Sequence, residues 1–510
     1  MREHPVLPTP SIDPIGPASE ISTGGGRERD LDVVIIGGGF AGLCMAIRLR
    51  QMGFSFVILE SASEIGGTWR ANTYPGCCCD IPSHLYSFSF ELNANWTRVY
   101  SRQSEILAYL QACADKYQLR DSILLGTEAR EAVFDEAGKV WRVRTDRGDT
   151  IAAGALVSAM GPLSRPAFPN IAGIESFKGK AFHSSQWDHS YDFARKKVAV
   201  IGTGASAIQF VPQIAPQVDK LSIFQRTPPW ILPKFDARHP DWVLLMLRSI
   251  PGSKRLARSL LYWCQEAVGV ALAHPTLMRP IEWLALAHVA RKIVDPRLRQ
   301  ALAPSYAMGC KRILLSNDYY DALARENVEL VTDGIAEIRD YSIVAQDQSE
   351  RPFDAIIFGT GFRGTELISP LRVIGRNGVD LSEVWRNGAE ALLGMTTAGF
   401  PNFFMLVGPN TFLPHNSVVF MIEAQVHYVV KGLQWLRKNG NCLMDLRSDA
   451  QAKFNRDLQE RLRGTVWASG CRSWYLDDHG KNVSLWPASS ARYWLRTRRF
   501  LPEDYSFTSP

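Results

Sequence analysis

No apolar run in this sequence reaches the length of about 20 residues that a membrane-spanning helix needs. The nearest run, LLYWCQEAVGVALA at 260–273, is interrupted by Gln265 and Glu266. We therefore expect no integral membrane segment. We interpret the run as a buried helix, with a helix bound at a surface as the alternative.

A block of charge of one sign is also missing. The 510 residues include 57 Lys and Arg against 51 Asp and Glu, and the net charge of +6 is spread along the chain. Because no basic stripe with interleaved aromatic residues stands out, we expect no nucleic-acid partner. The apolar content of 46% and the charged content of 21% are those of a globular protein with room for two or three domains.

Cysteine pairs with the spacing of a redox or metal site are absent as well. The nine cysteines include the consecutive run Cys77, Cys78 and Cys79, but no C-x-x-C pair. Three adjacent thiols cannot all face one tetrahedral metal, and no second Cys/His pair accompanies them. We expect no metal site, no thioredoxin-type dithiol, and cysteines suited to the reducing cytoplasm.

A glycine-rich turn with the spacing of a dinucleotide-binding site follows the first apolar strand. Its glycines are Gly37, Gly39 and Gly42, a helical pattern comes next, and a second strand ends at Glu60. The glycines permit a tight turn and let a pyrophosphate approach the helix N-terminus, while Glu60 would accept hydrogen bonds from a ribose. A tight turn without a ligand is the alternative.

The same pattern returns at 202–207, and its candidate nucleotide contacts are Gly202, Thr203, Gly204 and Ser206. The acidic residue at the end of the following strand is replaced by Gln225, Arg226 and Thr227. A cation at this position suits the 2′-phosphate of NADP, so the second site should prefer NADP over NAD. The alternative is that Arg226 only caps a strand at the surface.

These turns predict an α/β fold with two Rossmann-like, doubly wound dinucleotide-binding domains. Apolar strands that end at glycine, at 155–162 and 354–362, would close the two domains in the same way. FAD in one domain and NADPH in the other would form a hydride relay.

We predict an inserted helical subdomain in which Pro251, Pro275 and Pro280 break the helices. The predicted boundaries are a loose N-terminal lead-in at 1–30, an FAD-binding domain at 31–157 and 371–510, an NADP-binding domain at 158–235 and 309–370, and the helical insertion at 236–308.

Two further motifs lie at fixed positions relative to the two turns. The pattern F-x-G-x-x-x-H-x-x-x-W-[P/D] is matched by Phe177, Gly179, His183, Trp187 and Asp188. The pattern [A/G]-G-x-W-x-x-x-x-[F/Y]-P-[G/M]-x-x-x-D is matched by Gly66, Gly67, Trp69, Tyr74, Pro75, Gly76 and Asp80. With both motifs in place, the chain resembles the class B flavoprotein monooxygenases and, among them, the Baeyer–Villiger monooxygenases.

The resemblance implies an NADPH- and O2-dependent enzyme that oxidises ketones to esters or lactones through a flavin peroxide. Its candidate catalytic residues are Arg312, Asp80 and His183. In this interpretation Arg312 is the cation beside the reacting oxygen, Asp80 holds it, and His183 couples NADP binding to domain movement. The alternative for Arg312 is a charge that caps a strand at the surface. For His183 it is a satisfied interdomain hydrogen bond.

The resemblance also implies the remaining contacts with the cofactors and the substrate. Gly67, Thr68, Trp69 and Tyr86 would lie along FAD, and Lys311 would join Arg226 and Thr227 at the 2′-phosphate. Trp474 would lie on a loop over the substrate, with a core position as the alternative. The expected partners are a small-molecule ketone and O2, in the cytoplasm.

Two other functions stay open at this level. A flavin-containing monooxygenase that oxidises nitrogen or sulfur in small molecules would share the cofactors but not both motifs. A flavin-bound redox sensor would have lost Arg312 or Asp80, and both are present.

Overall fold

The computed structural model describes residues 31–273, 275–440, 442–471 and 473–508. The predicted lead-in at 1–30 lies outside these ranges. The described chain is an α/β fold with two Rossmann-type units, each built on parallel strands, and with helical regions between and beside them. None of the described helices combines the length and the apolar character needed to cross a bilayer.

The first unit is built on one mixed sheet with the strand order β17-β4-β5-β6-β1-β2-β3, and β18 pairs with β6. β1, β2 and β6 are parallel neighbours, whereas β4, β5 and β6 form an antiparallel meander. The strands of this sheet are β1 Leu31–Ile36, β2 Phe56–Glu60, β3 Ile123–Leu125, β4 Ala129–Asp135, β5 Val140–Thr145, β6 Thr150–Ser158, β17 Arg372–Ile374 and β18 Phe403–Met405.

The second unit has a parallel sheet with the order β12-β9-β8-β16-β7. Its strands are β7 Lys180–His183, β8 Lys197–Ile201, β9 Lys220–Phe224, β12 Val328–Val331 and β16 Ala355–Phe358. An antiparallel meander of β13 Ile335–Arg339, β14 Ser342–Ala345 and β15 Glu350–Pro352 lies in the same part of the chain. Two short pairs complete the sheets: β10 Ile231–Leu232 with β11 Leu314–Leu315, and β19 Leu443–Leu446 with β20 Tyr505–Thr508.

The helices follow the pattern of apolar and turn residues. They are α1 Phe40–Gln51, α2 Thr68–Ala71, α3 Gln103–Lys116, α4 Ala207–Ile214, α5 Asp241–Ser249, α6 Ser253–Ala273, α7 Pro275–Lys292, α8 Pro296–Ala301, α9 Tyr319–Leu323, α10 Leu381–Val384, α11 Val418–Lys438, α12 Ser448–Arg463 and α13 Ser490–Thr497. α1 is buried along nearly its whole length because it lies between the first sheet and α11.

The two predicted closing strands lie where expected. β6 pairs with β1, with Ile36 opposite Ser158, and β16 pairs with β8, with Ile201 opposite Phe358. Each closing strand therefore brings its following glycine or alanine to the nucleotide turn of its own unit.

The helical stretch differs from the sequence prediction at one of its three prolines. Pro251 separates α5 from α6, and Pro275 is the first residue of α7, but Pro280 lies inside α7. The prediction of a break at Pro280 is wrong. A proline in the second turn of a helix removes one backbone hydrogen bond, and the buried contacts of Met278 and Ala285 hold the helix on both sides of it.

The prediction of a buried helix at 260–273 is also wrong. This stretch is part of α6, and Leu260 and Trp263 expose 60% and 64% of their surface. The helix packs on the protein along one face only.

Candidate functional site

The first nucleotide turn is shaped by close backbone approach. Gly37 has φ +106°, and a Cβ atom there would lie 2.6 Å from the carbonyl oxygen of Ala159. A Cβ on Gly42 would lie 1.9 Å from the carbonyl oxygen of Gly37. Gly39 precedes α1, and the helix start has neither a side-chain cap nor an acidic residue in its first turn. The free N–H groups of this helix start therefore suit an anion.

Glu60 holds the same turn from the end of β2. Its buried carboxylate accepts hydrogen bonds from the backbone N–H groups of Gly38, at 2.7 Å, and Ala62, at 2.8 Å. Across the turn, Gly67 has φ +52°, and a Cβ on it would lie 3.1 Å from the Cα of Gly39. Two glycines thus face each other, with exposed Thr68 beside them.

The second turn repeats this geometry. Gly202 has φ +104°, and a Cβ there would lie 2.5 Å from the carbonyl oxygen of Gly359. Ser206 precedes α4 without capping it through its side chain, and a Cβ on Gly204 would lie 3.8 Å from the carbonyl oxygen of Gly359, at ordinary contact distance. Buried Thr203 donates to the carbonyl of Thr227 at 3.5 Å.

Two cations lie beside the second turn because β10 and β11 pair in parallel. Arg226 is exposed, and Lys311 lies above the ring of Tyr306 with its Nζ 4.7 Å from the ring centre. Burial lowers the pKa of Lys311, and the charge of Arg226 lowers it further. Among the residues described, neither cation has an ion-pair partner, so a doubly charged anion would be bound strongly here.

The segment that ends at Asp80 connects the two units. Gln209 of α4 accepts from Tyr74 OH at 3.0 Å and donates to the carbonyl of Cys78 at 3.1 Å. Gly76 has φ +81°, and a Cβ on it would lie 2.5 Å from the carbonyl oxygen of Gln209. The glycine of the sequence motif therefore permits the closest approach of the two backbones.

The carboxylate of Asp80, at the end of the segment that contacts α4, forms an ion pair with the guanidinium of Arg312. Asp80 Oδ2 accepts from Arg312 Nε at 2.9 Å and from Nη2 at 2.6 Å, and Nη1 makes no hydrogen bond to any described residue. The charge of Asp80 raises the pKa of Arg312. Burial opposes ionisation of Asp80, but the charge of Arg312, its hydrogen bond and the charge of Lys234 together outweigh burial and lower the pKa of the carboxyl. Both groups are therefore charged near neutral pH.

Aromatic side chains surround this pair. Trp69 Nε1 donates to Tyr86 OH at 3.2 Å, and the two rings meet edge to face. Tyr475 is 1% exposed, its hydroxyl has no hydrogen-bond partner among the described residues, and it interacts electrostatically with Arg312. Burial raises the pKa of Tyr475 to about 12. It is thus a neutral hydroxyl beside the guanidinium.

Lys234 is a further cation near Asp80. It is 8% exposed, and its Nζ lies 3.0 Å from the carbonyl oxygen of Cys79 and 2.9 Å from Cys78 Sγ. Its charge contributes to lowering the pKa of Asp80.

His183 lies at the end of β7 and is fully buried. Its Nδ1 accepts from the backbone N–H of Ser185 at 3.2 Å and lies 2.8 Å from the hydroxyl of the same residue. The rings of Phe168 and Phe362 meet the imidazole edge to face. Burial lowers the pKa of His183, and the backbone of Gly361 opposes this shift. No hydrogen bond or ion pair joins this residue to Asp80 or Arg312 within the described chain.

A disulfide joins the candidate substrate loop to the segment of Arg312. Cys310 and Cys471 are 161 positions apart, and their Cα atoms lie 6.3 Å apart. Cys471 lies three residues before Trp474, whose ring meets Phe412 edge to face. The other described cysteines are free thiols. The expectation that all cysteines stay reduced therefore differs from the structure at this pair.

Comparison with known proteins identifies the family. The profile described as "Pyridine nucleotide-disulphide oxidoreductase" matches residues 34–237. A "Baeyer-Villiger monooxygenase" of Pseudomonas aeruginosa is 47% identical over 486 residues, which cover 94% of this chain and 92% of that protein. The chain belongs to the Baeyer–Villiger monooxygenases. A second protein of this name, from Streptomyces coelicolor, is 46% identical over 94% of this chain and 93% of its own length.

Solved structures have the same architecture. The crystal structure described as "OTEMO complex with FAD and NADP" superimposes with a TM-score of 0.87 at 25% identity, over 94% of this chain and all of that one. Two Rossmann-type units with helical regions thus form the fold of this Baeyer–Villiger monooxygenase.

Sequence reasoning missed three features of the site in this Baeyer–Villiger monooxygenase. Tyr475 follows the predicted Trp474 directly, so proximity in sequence was the only available signal. No sequence signal pointed to Lys234 or to the pair Cys310–Cys471, because each depends on contacts between segments far apart in the chain. Within the described residues no cluster of side chains suits a metal ion.

Proposed function

We propose that Arg312, oriented by Asp80, is the catalytic cation of this Baeyer–Villiger monooxygenase. The enzyme uses NADPH and O2 to convert ketones to esters or lactones. The observation that carries the proposal is the ion pair itself: Asp80 engages Nε and Nη2 of Arg312, and Nη1 donates to none of the described residues.

FAD is one of the two cofactors of this enzyme, and the first turn fits it. Its close-packed glycines, Gly37, Gly39, Gly42 and Gly67, leave no room for a Cβ or face one another across the turn. The uncapped start of α1 suits the pyrophosphate, and Glu60 would also bind the ribose. Further contacts are assigned to Thr68, Trp69, Tyr86 and Asp80. When bound, FAD supplies the electron transfer and oxygen activation that amino-acid side chains cannot provide.

NADP fits the second turn. Gly202, Thr203, Gly204 and Ser206 would contact its pyrophosphate at the start of α4. Arg226, Thr227 and Lys311 would bind the 2′-phosphate, because two neighbouring cations without described counter-ions match its charge. This arrangement explains a preference for NADPH over NADH.

Arg312 would stabilise the negative charge that develops on oxygen when a ketone carbonyl is attacked. Its raised pKa keeps the guanidinium charged, and it cannot act as a proton donor at neutral pH. Asp80 and Lys234 hold the charges around it in a fixed arrangement, so little reorganisation accompanies the reaction.

His183 is assigned a positioning role rather than direct contact with the substrate. Its burial between two aromatic rings and its lowered pKa describe a neutral imidazole at the end of β7, next to the nucleotide turn of the second unit. Such a residue can link bound NADP to the position of that unit. Trp474 would cover the substrate from the loop that the disulfide tethers.

The decisive experiment compares Arg312→Ala with the wild-type enzyme loaded with FAD. Reduction of the flavin by NADPH, followed by its absorbance, should keep its rate, while ester formation from a ketone panel should fall by about 10²–10³ or more. Products are identified by mass. If the variant still forms esters at the wild-type rate, or if only thioethers and amines turn over in the wild type, the assignment of Arg312 is wrong.

We also propose that the enzyme acts in the cytoplasm on a small-molecule ketone. Seven of the described cysteines are free thiols, as in a reducing compartment, whereas the disulfide Cys310–Cys471 is typical of an oxidising one. Fractionation of cells that express the protein, with cytoplasmic and periplasmic markers, tests the location.

A further inference from the structure

The inward face of α6 combines polar groups with apolar side chains such as Leu272, which is 4% exposed. Glu266 is 6% exposed and accepts hydrogen bonds from Ser490 Oγ at 2.5 Å and Asn416 Nδ2 at 2.8 Å. Arg258 donates from Nη1 to the carbonyl of His84 at 3.0 Å. The polar groups on this face are thus satisfied by the protein.

The outward face of α6 is apolar. Its exposed residues repeat at intervals of four and three positions, which places them on one side of the helix. They are Leu256, 62% exposed, Leu260, 60%, Trp263, 64%, Ala267, and Val270, 55%. A helix at the surface of a globular protein normally has its apolar stripe toward the core. In α6 a second apolar stripe faces outward, in addition to the apolar residues that pack on the core.

The helices on both sides of α6 continue the exposed apolar surface. α5 and α7 both contact α6. We define the apolar face of the insertion by the residues Trp242, Leu245, Ile250, Leu256, Leu260, Trp263, Val270, Leu277, Trp283 and Leu284, which are 41% to 72% exposed. Exposed apolar side chains on three contacting helices mark a site that another surface covers.

Cations border this face without described counter-ions. Lys254 and Arg255 lie at the start of α6, and Arg279 and Arg291 lie in α7. None of the four forms an ion pair within the described chain. Glu266 of α6 is buried and engaged by Ser490, and the other acidic residues of these three helices are Asp241 and Glu282, so basic residues outnumber acidic ones there.

The cations near the apolar face distinguish between two possible binding partners, a second copy of this chain and an anionic surface. In a twofold dimer of this chain, the same patch would meet itself, and its cations would repel each other. An anionic surface would neutralise them instead. Three exposed tryptophans, Trp242, Trp263 and Trp283, add side chains that prefer the boundary between water and lipid.

We propose that the apolar face of the insertion binds the surface of an anionic lipid bilayer, with α6 lying in the interface. The helix does not cross the membrane. Leu272, near the end of α6, lies 3.0 Å from the position of a Cβ on Gly309, three residues before Arg312. If Arg312 acts as proposed above, the bound enzyme therefore places its reaction site close to the lipid phase, in which apolar ketones concentrate.

Vesicle sedimentation with the FAD-loaded enzyme tests this binding without any substrate, so its outcome is independent of the Baeyer–Villiger activity. The enzyme should sediment with vesicles of phosphatidylcholine mixed with phosphatidylglycerol, less with phosphatidylcholine alone, and less at high salt. Leu260→Glu/Trp263→Glu should lower the partition coefficient at least about tenfold, since two large apolar side chains leave the lipid. The matched control is Tyr341→Glu, which should sediment like the wild type. Tyr341 is 58% exposed and lies between β13 and β14, outside the helical insertion.

Two outcomes would overturn the proposal. One is a wild-type enzyme that binds neither kind of vesicle. The other is a wild-type enzyme that binds no vesicles and forms a dimer, which Leu260→Glu/Trp263→Glu converts to a monomer. That result would assign the face to contact with a second copy of the chain. If that variant loses its flavin or its cooperative unfolding, Lys254→Glu/Arg255→Glu replaces it. Unchanged binding of this second variant to the anionic vesicles would also contradict the proposal.

Discussion

Arg312 and Asp80 are 232 positions apart in the chain, and their ion pair engages Nε and Nη2 of the guanidinium. Among the described residues, Nη1 has no hydrogen-bond partner. Tyr475 adds a neutral hydroxyl and Lys234 a second cation to the same region. If Arg312 is the catalytic cation proposed above, activity depends on the orientation of these few charges.

Lys311→Ala should raise KM for NADPH by about 10–100-fold and leave KM for NADH nearly unchanged, because one charged hydrogen bond to the 2′-phosphate is lost. Steady-state kinetics with both nucleotides measure the effect. The control is Lys178→Ala, an exposed lysine paired with Asp340 in the same unit. Equal changes in KM for both nucleotides would refute the assignment.

The same lysine should make NADPH binding sensitive to alkaline pH. Burial and Arg226 lower the pKa of Lys311 below its usual 10.5, so it loses its proton earlier than an ordinary lysine as the pH rises. KM for NADPH should therefore increase on the alkaline side below pH 10.5. Lys311→Arg should reduce this increase in KM, because a guanidinium stays charged.

Short backbone approaches and one covalent link organise the elements. Gly76 lets the segment before Asp80 contact α4, and the disulfide Cys310–Cys471 joins the loop of Trp474 to the segment of Arg312 that precedes β11. Each connection joins parts of the chain that the two nucleotide turns alone would leave independent.

Gly76→Ala should destabilise the protein by more than about 2 kcal/mol, because the left-handed conformation costs about 1–2 kcal/mol and the contact with Gln209 adds a clash. Gly148→Ala is a matched control: its φ is +88°, but a Cβ there meets nothing within 4 Å. It should show the conformational cost only. Thermal unfolding of both variants gives the comparison, and equal midpoints would argue against the close approach.

Cys471→Ser should lower the stability by about 2–4 kcal/mol, because the link closes a long loop in the unfolded chain. Thermal unfolding with and without reductant measures this loss, and peptide mass analysis identifies the linked pair. Cys264→Ser, at an exposed free thiol, should change neither result. If the wild type unfolds identically in reductant, the pair does not stabilise the protein.

At the scale of the whole molecule, buried histidines make stability depend on pH. Burial lowers the pKa of His84 and His183, and partial burial lowers the pKa of His239 and His288. For His84 the value falls to about 4, with the nearby His239 and Arg258 adding to the effect of burial. The unfolded chain takes up these protons near pH 6.5, before the folded chain does.

The stability contributed by neutral His84 should therefore be complete above about pH 6.5 and decrease as the pH falls from 6.5 toward 4. The unfolding midpoint of the wild type should decline over this range, and that of His84→Gln should decline less. His479→Gln, at an exposed histidine, should follow the wild type. Parallel curves for the wild type and His84→Gln would contradict this account.

The sequence by itself determined the two Rossmann-type units and the family. Each nucleotide turn is encoded in about 30 consecutive residues, and the two motifs around His183 and Asp80 are also local. The tertiary structure decided the free Nη1 of Arg312, the presence of Tyr475 beside it, and the pair Cys310–Cys471, because these depend on segments more than 150 positions apart.

The exposed apolar face of α6 is another feature that only the tertiary structure decided. An apolar, helix-forming run predicts burial whenever nothing else is known, since most such runs lie in a core. Only the folded structure shows that Arg258 and Glu266 face inward and that Leu260 and Trp263 face outward. A sequence pattern specifies that a helix has two faces, and the contacts of the folded chain decide which face is covered.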